Sequence, residues 1–125
     1  MIPLSVALGG ALGALSRYGV TSIVGGSASF PWGTLSVNVL GSLALGFLMV
    51  WLPERLASEE VRLFATVGLL GSFTTFSTFS YETVELIRAG AWGKAIGYTG
   101  GSVLLGIVAV LLGAAAALAL GPSGR

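Results

Sequence analysis

Four stretches of this chain run with little or no charge for as long as a helix needs to cross a lipid bilayer, about 20 mostly apolar residues, and this restricts the chain to a membrane fold. They lie at about residues 2–24, 32–52, 62–88 and 94–120. Composition agrees: 54% of residues are hydrophobic and 9% charged, where a soluble domain carries roughly 25% charged residues. Mean hydropathy is +0.94. The start, Met-Ile-Pro-Leu, has no basic region of the kind that opens a cleavable signal, so the first stretch is expected to stay as a span. The longest polar connection, Pro53 to Glu60, leaves no room for a soluble domain, and residues 1–125 read as one all-α, four-span transmembrane domain.

The same composition excludes several functions. There is no cysteine, histidine or aspartate, which removes disulfides, thiolate metal sites and most catalytic constellations, so an enzyme is not expected. A net charge of +1 argues against a nucleic-acid partner.

Four spans put both termini and the second connection on one side. That side holds Arg55, Arg62 and Arg125; the other holds Arg88, Lys94 and, at the end of the first span, Arg17. The basic count is balanced, so the usual excess of cytoplasmic Lys and Arg is missing. Either the bias is simply weak, or copies insert in both orientations and pair antiparallel. So small a chain is expected to oligomerise in either case. Glycines at Gly9 and Gly13, and at Gly93, Gly97 and Gly101, recur on one helix face and predict close helix packing.

The third span is a poor helix sequence. Gly68-Leu69-Leu70-Gly71-Ser72-Phe73-Thr74-Thr75-Phe76-Ser77-Thr78-Phe79-Ser80 combines glycines with a run of Ser and Thr, which lower helix propensity and compete for backbone groups. Two readings stand. Either the helix continues with hydroxyls bonded to the preceding turn, or it breaks near Gly71 to Thr75. Unwound backbone survives at membrane depth only when buried in protein or lining a cavity, so a break implies a site that can hold ions.

Phe76 and Phe79, three apart, share a helix face among hydroxyls. They pack in the bundle, or they offer positive ring edges to a small anion. Asn38 is expected to bond to a neighbouring helix, and its amide also offers donors to an anion. Arg17 either snorkels or draws anions to a vestibule. Tyr98 and Ser102 share a face of the fourth span; with Asn38, Thr78, Phe76 and Phe79 they would make a donor-lined track. Glu82 and Glu85 are expected to face water at a helix end, with Glu85 paired to Arg88.

Taken together, Gly9-Gly10-x-x-Gly13-Ala14-x-x-Arg17-Tyr18, then Gly33-Thr34-Leu35-x-Val37-Asn38-x-x-Gly41, then Gly71-x-x-Thr74-Thr75-Phe76-Ser77-Thr78-Phe79-Ser80 resemble the Fluc (CrcB) family of fluoride channels. The resemblance covers three spans in order, and the Thr-Thr-Phe-Ser-Thr-Phe-Ser run is its most specific part. It implies passive export of cytoplasmic fluoride through a cell inner (plasma) membrane, by an antiparallel, dual-topology homodimer with two pores. It implies a third helix interrupted at mid-membrane and a structural sodium ion at the dimer centre, held by the backbone carbonyls of Gly71 and Thr74. The fluoride pathway would draw on Asn38, Phe76, Phe79, Thr78, Ser77, Ser80, Tyr98 and Ser102, with Arg17 in the vestibule. Two residues depart from the family pattern: Ser72 stands for a second glycine, and Gly106 for a pore-lining serine whose donor must come from water or a neighbour.

Two other functions fit this sequence less well. A small dual-topology multidrug transporter would need a membrane carboxylate in its first half, and no acidic residue precedes Glu54. A non-transporting scaffold would not need a hydroxyl-rich, interrupted third span.

Overall fold

In the computed structural model, which describes residues 1–25, 29–54 and 58–121, every regular element among the described residues is helical. The elements are α1 (Ile2–Gly25), α2 (Trp32–Glu54), α3 (Glu59–Leu63), a π-helix (Phe64–Leu70), α4 (Gly71–Phe73), α5 (Phe76–Arg88) and α6 (Trp92–Ala119). Arg55 and Arg125, two of the basic residues in the topology count, lie outside the described residues.

Local chemistry sets these boundaries. Ser58 caps α3 by accepting from the Val61 amide, and Glu59 and Glu60 place negative charge on its first turn, opposite the positive end of the helix dipole. The Met1 ammonium pairs with Glu60, which ties the start of α1 to the start of α3. At the other end α5 closes in a Schellman turn: the amides of Gly90 and Ala91 return to the carbonyls of Ile87 and Leu86. Gly90 takes φ 74°, open to glycine at no steric cost, and the chain reverses directly into α6.

Among the described residues, three segments are long and apolar enough to cross a membrane: Trp32–Pro53, Glu59–Arg88 and Trp92–Ala119. The 24-residue α1 is long enough, but Arg17 and its interspersed serines and glycines lower its apolarity, and it is not among the three. Apolar side chains cover the outside of the bundle, Leu104, Ile107, Leu111 and Leu118 of α6 among them. The interior is narrow by contrast: Tyr98 and Val37 are its largest fully buried side chains. That inversion suits a lipid solvent, in which helices associate by close packing rather than by burying grease.

Close backbone contacts hold the bundle, two of them especially tight. α1 lies on the π-helix, where Gly9 and Gly13 pass so close that a Cβ on either would strike the backbone of Phe64 or Leu69. α2 lies along α6, where Gly113 sits against Leu43 and Phe47. The packing expected of Gly9 and Gly13 is therefore present. For Gly93, Gly97 and Gly101 the expectation fails within this chain: a Cβ on any of them meets nothing within 4 Å. The reason is rotational, since α6 turns Tyr98, Gly106, Ala109 and Gly113 inward and those glycines outward.

Candidate functional site

The site is built where α4 stops. Gly71 remains helical at φ −62°, ψ −31°, so the break expected from Gly71 onward is narrower than the sequence suggested. It is confined to Thr74 (φ −84°, ψ 156°) and Thr75 (φ −151°, ψ 122°). Helical irregularity does begin earlier, but as a seven-residue π-helix rather than unwound chain, a form found often at functional positions.

Asn38 explains the break. Its Oδ1 accepts the Thr75 amide at 2.8 Å, and its Nδ2 donates to the Thr75 carbonyl at 3.1 Å. In a continuous α-helix that amide would close on the carbonyl of Gly71, four residues back. The amide side chain thus takes over the Thr75 amide, adds a donor to the Thr75 carbonyl and releases the carbonyl at Gly71. Gly41, one turn along α2 from Asn38, makes room: a Cβ there would run into the Thr74 side chain.

Thr75 then starts the next helix. Its Oγ1 accepts from the Thr78 amide at 3.3 Å, donates to Thr78 Oγ1 at 3.2 Å and lies 3.4 Å from Ser77 Oγ. Ser80 does not join this cluster: its hydroxyl donates back to the Phe76 carbonyl at 2.9 Å. Thr74 is likewise turned to its own helix, its Oγ1 donating to the Leu70 carbonyl at 2.9 Å. Thr74 and Gly71 line a cavity of about 160 Å³ shared with Asn38, Ser42 and Thr66.

The aromatic residues follow α5. Phe76 and Phe79 lie with centroids 5.7 Å apart at 44°, and Phe79 continues to Tyr98 at 5.1 Å. Phe76 is 78% exposed, so its ring is presented away from this chain. Tyr98 is fully buried. Ser102, one turn on, has a buried hydroxyl with no partner.

Three residues outside the expected set bond into this cluster: Thr34, Thr75 and Glu82. Glu82 is half-buried and lines two pockets, and it also has partners within the bundle. Thr34 Oγ1 donates to its Oε1 at 2.5 Å, and the Tyr98 hydroxyl reaches its Oε2 at 3.5 Å. Spacing signalled these residues, since Thr34 lies one turn before Asn38 and Glu82 one turn after Thr78. Arg17 lines a pocket of about 310 Å³ with Thr75, Thr78 and Glu82, and that pocket adjoins one of about 410 Å³ through Thr21, Thr34 and Glu82. Glu85 pairs with Arg88 at 3.2 Å as expected. Among the described residues no group of three or more carboxylates gathers to hold a metal ion, so a cation here would rely on carbonyl and hydroxyl oxygens.

Residues 4–114 match the family model described as CrcB-like protein, Camphor Resistance (CrcB). Similar proteins include one from Thermus thermophilus, 53% identical over 112 residues that cover 88% of this chain and 90% of that protein. One from Novosphingobium aromaticivorans is 46% identical over 112 residues, 86% and 89% of the two chains. One from Opitutus terrae is 47% identical over 122 residues, 94% and 92%. Each of these relatives is named a fluoride-specific ion channel.

Proposed function

This chain belongs to the CrcB-like family, and from that premise we propose that it is a fluoride-specific ion channel of the plasma membrane. It carries fluoride passively down its gradient out of the cytoplasm, and it performs no covalent chemistry. The observation that carries the reading is the brace between Asn38 and Thr75, which opens a transmembrane segment beside a cluster of hydroxyls.

Fluoride is small and strongly hydrated, so a pore must replace its water with donors that bind weakly enough to let go. The hydroxyls of Thr75, Thr78, Ser77 and Tyr98 and the remaining N–H of Asn38 are donors of that kind. The edges of Phe76 and Phe79 add partial positive charge. Arg17 raises the potential in the pocket leading to them, and Glu82 opposes it from the same pocket.

The finer architecture belongs to the same proposal. α1 is the fourth span, and two chains pair antiparallel, so that the outward Phe76 and the outward glycines of α6 meet a partner. The break in the third span lies at mid-membrane. A sodium ion sits between the two breaks, held by the carbonyls of Gly71 and Thr74; the Gly71 carbonyl released by Asn38 and the absence of any need for carboxylates suit a hard cation. Its positive charge would steady an anion nearby.

The test is ion efflux from liposomes containing the purified protein. Fluoride efflux without chloride efflux is the expected result. Chloride leaving as fast as fluoride, or neither ion leaving, would overturn the reading.

A further inference from the structure

The seam between α2 and α6 keeps one register along its length. Near its start Thr34 and Tyr98 meet at Glu82. Farther along, Gly106 faces Ser42, and Gly46 faces Val110, each pairing advancing equally on both helices. The two helices therefore run parallel, and interpolation sets Ser102 level with Asn38.

Read in order, the seam presents Thr34 with Tyr98, Asn38 with Ser102, and Ser42 with Gly106, before turning apolar at Gly46 and Val110. Three polar levels thus extend over about 12 Å at 1.5 Å per residue. Two observations show that the third level is built to be open. A Cβ at Gly106 would lie 3.7 Å from Ser42 Oγ, an ordinary contact, and would meet no other neighbour within 4 Å. Ser42 also lines the 160 Å³ cavity that reaches Asn38 and the break. At the level before it, the buried Ser102 hydroxyl lacks a partner, a condition rare enough in proteins to need a reason. A guest that accepts hydrogen bonds, moving along the seam, would supply one.

We infer that Ser42 coordinates fluoride, contributing from α2 the hydroxyl that α6 lacks at Gly106. The assignment rests on the fluoride-channel reading and extends it by one helical turn beyond Asn38. Gly106 offers no side chain to the Ser42 hydroxyl, which lines the cavity that reaches Asn38. A serine at 106 would place an equivalent donor on the opposite wall of the same gap.

The test compares initial fluoride efflux from liposomes at matched amounts of folded protein, checked by size-exclusion chromatography. Ser42→Ala is expected to lower efflux by about tenfold, the scale of one charge-assisted hydrogen bond. Adding Gly106→Ser to Ser42→Ala is expected to restore most of the rate, whereas adding Gly106→Ala, which fills the space without a hydroxyl, is not. Wild-type efflux in Ser42→Ala would overturn the assignment. So would a slow Ser42→Ala that Gly106→Ser leaves slow or Gly106→Ala restores equally well, since Ser42 would then be a packing residue. Wild-type protein that carries no fluoride would remove the channel reading itself, and this assignment with it.

Discussion

Asn38 concentrates more of the site in one side chain than any other residue. It satisfies the backbone amide of Thr75 and adds a donor to its carbonyl, so its loss strands a backbone N–H. Asn38→Ala is expected to cost about 1–2 kcal/mol of stability, the scale of an interhelical polar contact in a membrane, and to abolish fluoride efflux. Wild-type efflux at unchanged thermal stability in detergent would contradict that. The two rings make a different kind of prediction. Phe76→Ile and Phe79→Ile keep most of the apolar volume and remove the ring edge. A swap of that kind typically costs under about 1.5 kcal/mol, so assembly should survive while efflux falls by about tenfold, the upper range of an aromatic contact. Phe73 sits outside the pair and its replacement is expected to be milder. Wild-type rates in both Ile proteins would leave the rings as ordinary packing.

Among the elements, the interrupted third segment depends on how closely α1 approaches it. Gly13 lies against the Leu69 backbone, and a single methyl cannot be absorbed there without moving one helix. Gly13→Ala is expected to destabilise the protein by about 1–3 kcal/mol, the range for overpacking, and to lower efflux by shifting the segment that carries Thr74 and Thr75. Gly19, on the same helix, has nothing within 4 Å of a built Cβ. Gly19→Ala should therefore be neutral or slightly stabilising, because alanine is the better helix former by about 1 kcal/mol. Equal melting temperatures for the two variants, measured in the same detergent, would refute the packing assigned to Gly13.

For the whole molecule, the balance of Arg17, Arg88 and Lys94 against Arg55, Arg62 and Arg125 predicts insertion in both orientations. Tags on either terminus, tested for accessibility in intact cells, should report both sides of the membrane. A single uniform orientation would rule out the antiparallel dimer. Such a dimer would also give the outward residues an environment, since Phe76 is mostly exposed in one chain and a Cβ on Gly93, Gly97 or Gly101 meets nothing within 4 Å there.

The sequence by itself determined the solvent and the location of the irregular backbone. Runs of apolar residues longer than a bilayer is thick leave no alternative to membrane helices, and glycines beside a Ser/Thr run weaken a helix wherever they occur. Both are properties of neighbours along the chain. The tertiary structure decided which residue ends the helix and what surrounds it. Whether the run breaks at Gly71 or at Thr74 depends on where Asn38, on another helix, captures an amide. That Glu82 meets Thr34 and Tyr98 depends on how α2, α5 and α6 are rotated about their axes. The glycines of α6 show the same division: their period was legible, but the choice of Gly113 for the buried seam and Gly97 for the outer face was set by the helix that packs against them.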